Sequence, residues 1–181
     1  MLYRFEIKLN DEDYLKYNKF WMFRSPYGKK QIISMRLSLV AIALICAFIS
    51  LFGGGFSLEA FLGIIPILLV LILVQLLLKP SFGWTLKLQI KHLKKHGKPG
   101  YSAEAVLEFF EDSFTETTPD NKTENKYSAV ERISLVDGEM IYLHVNNLLA
   151  YILPVKCFES KEQFESFLEF IKKKCGNVEV Y

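Results

Sequence analysis

The longest apolar segment of the sequence contains almost no charge. Between Leu37 and Leu78 the only formally charged side chain is Glu59. A globular core is normally assembled from shorter apolar stripes that alternate with polar residues, so few soluble domains contain a segment of this kind. The segment therefore favours a membrane anchor, with a pair of helices buried in a soluble core as the alternative.

The sequence also lacks the common signatures of catalysis and metal binding. The three cysteines form no CxxC motif and leave an odd count, so neither a zinc knuckle nor a disulfide framework is indicated. No GxSxG, HExxH, P-loop or dinucleotide fingerprint occurs. His92 and His96 are four residues apart but have no third ligand nearby, and His144 with Cys157 is a weak basis for a Cys/His couple. We therefore predict a protein that is not an enzyme and has no metal, cofactor or catalytic site.

Nucleic-acid binding is not indicated either. The formal net charge is only +2. No compact basic patch with interleaved aromatic residues is present to supply phosphate and stacking contacts.

The apolar segment is too long for one membrane span. A hydrocarbon core of about 30 Å takes roughly 20 helical residues, and residues 37–78 hold about twice that number. Three consecutive glycines interrupt the segment, and Ser57 and Glu59 suit the start of a new helix. We therefore predict a two-helix transmembrane hairpin at residues 37–78, with spans at about 37–52 and 61–78 and a turn at 53–60.

The charges that flank the hairpin predict its orientation. Basic residues precede the first span and follow the second, whereas the turn has none. The positive-inside rule then places both termini in the cytoplasm, in a bacterial cytoplasmic membrane. A signal peptide is disfavoured, because the preceding region of about 36 residues is too long for its basic segment.

Two segments flank the hairpin. Residues 1–36 begin with the alternating stretch "YRFEIKL", which predicts a strand, and Asn10 then offers a cap to an aromatic, basic helix. That helix suits the membrane interface or burial against the soluble domain. Residues 79–100 form a basic connector, whose expected lipid-headgroup contacts are Lys87, Lys91, Lys94, Lys95 and Lys98.

Residues 101–181 predict an α+β domain. "AVLEFFEDSFTETT" indicates one strand or a hairpin that turns at Glu111-Asp112, and "DNKTENK" is expected to be a polar loop. Two or three further strands follow, with turns at Asp137-Gly138 and Asn146-Asn147. Ser160 and Gln163 then form a capping box for a terminal helix that Gly176 can close.

The stretch "YSAVERISLVDGEMIYLHVNNLLAYILPVKCF" with the helix after it resembles the YcxB-like family of bacterial membrane proteins. The resemblance extends to "LNDEDYLKYNKF" and the paired spans. The family pattern of an aromatic first strand, an "IYL" strand and a proline-lysine-phenylalanine motif falls on six positions: Tyr127, Ile141, Tyr142, Pro154, Lys156 and Phe158. The resemblance implies an antiparallel, pleckstrin-homology-like sheet closed by a C-terminal helix, and it implies no activity.

A tyrosine at 127 replaces the usual tryptophan, and Val155 separates Pro154 from Lys156. Physical chemistry gives the six motif residues mainly structural roles: Pro154 ends a strand, and Phe158 is placed as a hydrophobic staple for the terminal helix.

Taken together, the sequence predicts an integral membrane protein that presents a cytoplasmic YcxB-like domain as a binding or regulatory module. Its expected partners are membrane lipids and an unidentified protein. The alternative function is a membrane-resident immunity protein against a cognate bacterial toxin.

Overall fold

The computed structural model describes residues 1–53, 58–97, 101–147, 149–176 and 178–181. The described helices are α1 (Asp11–Phe23), α2 (Pro26–Gly53), α3 (Leu58–Lys95) and α4 (Lys161–Cys175). The described strands are β1 (Tyr3–Lys8), β2 (Glu104–Phe109), β3 (Ser113–Thr117), β4 (Lys122–Lys126), β5 (Arg132–Val136), β6 (Met140–His144), β7 (Ala150–Pro154) and β8 (Val178–Val180). Short 3₁₀ turns lie at Tyr127–Ala129 and Val155–Cys157.

The chain divides into two compact units. Residues 1–20 and 92–181 form one unit, and residues 21–91 form the other. The first unit is therefore discontinuous in sequence, and the two long apolar helices are inserted within it.

Helices α2 and α3 supply the apolar surface of the second unit. Each contains a window long and apolar enough to cross a membrane, at Pro26–Ser50 and Leu62–Lys95, with hydropathies of 2.5 and 2.6. Within each range, the most apolar stretch of 18 residues has no residue buried against other parts of the structure. The buried residues Ile32 of α2 and Leu86 and Ile90 of α3 lie outside these stretches. This exposure contradicts the alternative in which the two helices form the interior of a soluble domain.

The helices extend beyond the predicted spans. Helix α2 ends at Gly53 and α3 begins at Leu58, so part of the predicted turn, residues 54–57, lies outside the described residues. Most of the predicted connector is the C-terminal half of α3, which continues helically through Pro80 to Lys95.

The first sheet has the order β1-β2-β3-β4, and all of its pairs are antiparallel. Strand β1 alternates as predicted, with Phe5 and Ile7 buried and Arg4 and Glu6 exposed. The sequence analysis placed this strand in a separate N-terminal segment. Its register, in which Phe5 faces Leu107, makes it instead an edge strand of the sheet formed by the C-terminal region.

The polar stretch 120–126 was predicted to be a loop, and this prediction is wrong. Residues Lys122–Lys126 form β4, which pairs with β3 along its whole length. Because β4 is an edge strand with no fully buried side chain, it needs no apolar alternation, and its sequence therefore lacks the usual strand pattern.

The second sheet has the order β7-β6-β5-β8. Its hairpins turn where predicted: Asp137 and Gly138 both have positive φ, and Asn146 lies between β6 and β7. Two predictions need correction. Strand β8 pairs with β5 in parallel, so this sheet is mixed rather than antiparallel, and Tyr127 begins a 3₁₀ turn rather than a strand.

Helix α4 packs on a core that both sheets share. Phe167 and Ile171 of α4 are fully buried there with Phe5, Phe109 and Ile141. The predicted capping box forms, although the Gln163 side chain accepts a hydrogen bond from the backbone of Glu159 rather than of Ser160.

Helix α1 covers the opposite face of the second sheet. Its Tyr17 and Phe20 contact Val136, Met140 and Tyr142 in a second apolar cluster. Of the two environments that the sequence left open for this helix, the structure therefore shows burial against the domain for the residues up to Phe20.

We expect Phe5→Ala to destabilise the domain by roughly 3–5 kcal/mol, because it removes a buried aromatic ring from the shared core. Pulse proteolysis in urea would measure the change, with cleavage scored after Lys122 and Lys126. Glu6→Ala, at an exposed position of the same strand, is the control and should change stability by less than about 0.5 kcal/mol. Equal resistance of the wild type and Phe5→Ala would contradict the assignment of β1 to this domain.

Candidate functional site

The three motif residues that precede β7, Tyr127, Ile141 and Tyr142, are buried in the domain, and so is Pro154 at the end of β7. Ile141 and Tyr142, adjacent on β6, point to opposite faces of the second sheet, Ile141 into the shared core and Tyr142 toward α1. The Tyr127 hydroxyl donates a hydrogen bond of 2.7 Å to the carbonyl of Phe110. Burial raises the pKa of Tyr127.

The other three motif residues connect β7 to α4 and α1. Pro154 ends β7 and precedes the 3₁₀ turn. The Phe158 ring lies 5.3 Å from that of Phe164, the contact expected of a hydrophobic staple. The Lys156 ammonium donates a 2.9 Å hydrogen bond to the nearly buried carboxylate of Asp13.

The first turn of α1 concentrates polar contacts. Asp13 and Asn10 cap the helix reciprocally, each side chain accepting a hydrogen bond from the other residue's backbone N–H. Asp11 accepts hydrogen bonds from Lys94 at 2.7 Å and from the Tyr101 hydroxyl at 2.6 Å. These two bonds lower the pKa of Asp11. Two aspartates of α1 thus link the helix to distant segments of the chain.

A half-open cavity of about 320 Å³ lies beside this turn. Its polar lining comes from α1, from the segment before β2, from β3 and from β7, and comprises Tyr14, Tyr17, Asn18, Tyr101, Glu116 and Tyr151. Among the described lining residues there is no lysine or arginine. None of these residues was singled out as a site from the sequence.

The lining is fixed by contacts around it. The Tyr14 and Tyr101 rings stack with centroids 4.8 Å apart. The Tyr151 hydroxyl accepts a 2.7 Å hydrogen bond from Asn125. Burial is the main cause that raises the pKa of Tyr17 and of Tyr101 to about 12. Tyr17 and Tyr101 therefore present neutral hydroxyl groups at any physiological pH.

His144 and Cys157 do not form a catalytic couple. His144 Nε2 lies 3.2 Å from the Ser134 hydroxyl, and its ring lies near Phe20 on the α1 side of the second sheet. Cys157 packs against the other core, between the sheets and α4. Burial, and secondarily the charge of Arg132, lowers the pKa of His144 to about 4.

The predicted lipid-contacting lysines lie on the C-terminal half of α3. Lys87, Lys91, Lys94 and Lys95 are exposed, whereas Lys98 lies outside the described residues. Helical spacing groups them on one side of α3, and the buried Leu86 and Ile90 lie on another. Lys94 differs from the other lysines because its ammonium group already forms an ion pair with Asp11.

Two exposed apolar residues accompany these lysines. Trp84 is 64 % exposed and Leu88 is 46 % exposed. Trp84 lies within one turn of Lys87, and Leu88 lies within one turn of both Lys87 and Lys91. The sequence analysis missed Trp84, although a tryptophan a few residues beyond an apolar span is a typical signal of a membrane interface. We call Trp84, Lys87, Leu88 and Lys91 the interfacial face of α3.

The fold defines a class: an α+β domain that is interrupted in sequence by two helices long and apolar enough to cross a membrane. Residues 109–171 match the model of the YcxB family, described as YcxB-like protein. The chain thus carries a YcxB-like domain, and the resemblance is confirmed for this region, from the end of β2 into α4. The match covers about a third of the chain and does not include β1, α1 or the apolar helices.

Comparison with curated proteins gave no match, and neither did comparison with solved structures.

We expect the stability of the domain to fall as the pH is lowered because His144 is buried in its neutral form. Its folded-state pKa of about 4 lies below the unfolded value of 6.5, so the unfolded state takes up the proton first. Neutral His144 contributes on the order of 3 kcal/mol to the free energy of unfolding. This contribution is complete above about pH 6.5 and is lost as the pH falls toward 4.

The measurement is thermal unfolding by circular dichroism of wild type and His144→Gln over that pH range. The variant should show a smaller loss of stability between the two ends of the range, whatever its stability at neutral pH. Parallel curves for the two proteins would refute the assignment.

Proposed function

We propose that the protein is an integral membrane protein whose two apolar helices anchor a YcxB-like binding domain at one membrane surface. The observation that carries the proposal is that the most apolar stretch of each helix has no buried residue, while the chain before and after the two helices folds into one unit. Apolar surface of this extent needs a cover, and a bilayer supplies one for two adjacent helices.

Strand pairing supports a hairpin rather than a single span. Strand β1 precedes both apolar helices, and its partner β2 follows them. The two strands must therefore lie on the same side of a membrane, which requires an even number of crossings. The excess of lysine and arginine at both ends favours the cytoplasmic side.

The interfacial face of α3 supports a contact with anionic lipid. Tryptophan rings settle at the level of lipid headgroups, and each lysine near an anionic surface contributes about 1 kcal/mol. Lys87 and Lys91 have no ion-pair partner among the described residues, so both charges are available to headgroups.

The domain is proposed to be a non-enzymatic, pleckstrin-homology-like module. Two sheets that share one core and are closed by a terminal helix support this proposal, whereas the parallel β8 departs from it. His144 supports a role without catalysis, because its ring is buried and its pKa is low. The immunity role stays a prediction of the sequence.

Labelling with a membrane-impermeant maleimide tests the topology. Cys46, Cys157 and Cys175 are first replaced, and single cysteines are then introduced as Glu6→Cys, Lys122→Cys and Ser57→Cys. The first two should react only from the cytoplasmic side, and the third only from the opposite side. Reaction of Glu6→Cys and Lys122→Cys from opposite sides, or extraction of the protein by alkaline carbonate, would disprove the hairpin.

A quenching experiment tests the lipid contact. In a Trp21→Phe background, Trp84 should be shielded from acrylamide more strongly in nanodiscs with phosphatidylglycerol than in neutral ones. High salt should reduce this difference, because the screening length falls from about 8 Å to about 3 Å. Replacement of Lys87, Lys91 and Lys95 by glutamate should abolish it.

The matched control replaces three exposed lysines elsewhere, Lys122, Lys172 and Lys173, by glutamate. This variant carries the same change in net charge and should keep the wild-type difference. If both triple variants behave alike, the effect is one of net charge and the interfacial face has no special role.

A further inference from the structure

Glu116 lies at a position of β3 where the alternation of the strand predicts an apolar residue. Side chains two apart on a strand share a face, and so do residues directly opposite on an antiparallel partner. Two residues before Glu116 is Phe114, and directly opposite it is Leu107, and both are fully buried in the shared core. The Glu116 carboxylate is thus carried on the inner face of the first sheet.

Glu116 lines the tyrosine-rich cavity beside α1. Tyr14 and Tyr17 of α1 contribute one wall, Tyr101 stacks on Tyr14, and Tyr151 contributes another part from β7. At about 320 Å³ the cavity is at the small end of the range for ligand pockets, so it suits a ligand of a few heavy atoms.

No cation in the described structure neutralises this carboxylate. Lys94 pairs with Asp11, and Lys156 pairs with Asp13. Glu116 has no hydrogen-bond or ion-pair partner among the described residues. An anionic ligand is disfavoured, since the only formal charge among the described lining residues is negative.

We propose that the cavity binds a small organic ammonium cation, with the Glu116 carboxylate as its counter-ion and the tyrosine side chains as its walls. Aromatic faces attract cations through their quadrupoles, and they do so most strongly where water is excluded. Asn18 and the tyrosine hydroxyls provide hydrogen-bond acceptors for the N–H groups of a primary ammonium.

The pKa of Glu116 agrees with this chemistry. Burial raises the pKa of Glu116 and is the sole cause of the shift, so no neighbouring positive charge offsets the loss of hydration. A bound ammonium group would supply that charge. The inference names a ligand class for the proposed binding domain and therefore rests on that role, but it does not depend on membrane insertion.

The test is isothermal titration calorimetry of the full chain in a non-ionic detergent. Ethanolamine and choline are the probes for primary and quaternary ammonium, and potassium chloride at equal ionic strength is the reference for unspecific cation effects. We expect saturable binding of at least one amine. Stronger binding of choline would assign recognition to the aromatic faces, and stronger binding of ethanolamine would assign it to the hydrogen-bond acceptors.

Glu116→Gln should weaken the binding at least about tenfold, because a charge-assisted contact is replaced by a neutral one. The same variant should unfold at the wild-type temperature or above it, because the half-buried carboxylate without a partner is gone. Glu131→Gln, which neutralises an exposed carboxylate, is the control and should bind like the wild type.

A second pair of variants keeps the proposal testable if Glu116→Gln fails to fold. Tyr14→Phe retains the ring and should retain choline binding, whereas Tyr14→Leu removes the ring and should weaken it several-fold. The proposal is overturned if neither amine binds above the potassium reference, or if binding is unchanged in both Glu116→Gln and Tyr14→Leu. Neither outcome bears on the maleimide labelling, so the two proposals can fail separately.

Discussion

The pairing of β1 with β2 is the constraint on which the rest of the structure depends. One strand of the first sheet precedes the two apolar helices and its neighbour follows them, with Phe5 opposite Leu107. The shared core is complete only when both are present, because Phe5 packs there against Phe109, Phe158 and Phe167. The domain therefore cannot close until the segment that follows the two apolar helices has returned to β1.

This connectivity also has an entropic cost for folding. Bringing together strands that are about a hundred residues apart costs loop-closure entropy, although the cost rises only with the logarithm of the loop length. In the proposed hairpin, helices α2 and α3 reduce this entropic cost, because two antiparallel helices bring their own ends close together. The buried aromatic rings around Phe5 must supply the remainder.

Elements with a local signal were predictable from the sequence. Strand β1 alternates, α4 has a capping box and a C-terminal glycine, and the turn at Asp137 carries the residue types that tolerate positive φ. In each case the determining residues lie within a few positions of one another. The apolar run from Leu37 to Leu78, with Glu59 as its single charge, belongs to the same category, because length and composition suffice to recognise it.

The strands that the sequence did not predict are specified by their pairing with other strands and not by a local residue pattern. Strand β4 is a row of polar side chains that is a strand only because β3 is beside it, and β8 is three residues long and is held by β5 and by the bonds of Tyr181. The candidate site behaves in the same way. The lysines of α3 could be grouped from the sequence because they lie at helical spacing on one helix, whereas the cavity is assembled from four segments that only the fold brings together.

The carboxylates of Asp11, Asp13 and Glu116 differ in the partners they have. This difference indicates which of the three has a role beyond folding. Asp13 is almost completely buried, yet it caps α1 and pairs with Lys156, so its desolvation is offset. Asp11 remains partly hydrated and has both Lys94 and Tyr101 as partners. Both side chains are accounted for by the stability of the fold.

Glu116 is the contrasting case. It loses hydration without a described partner, at a position where a valine or threonine would satisfy the sheet. A half-buried carboxylate without a described partner, in a cavity lined by aromatic side chains, fits the general trade-off between stability and function. The same argument gives no such role to Lys156 or Asp13, even though their ion pair is the more conspicuous feature, because that pair is already complete without a ligand.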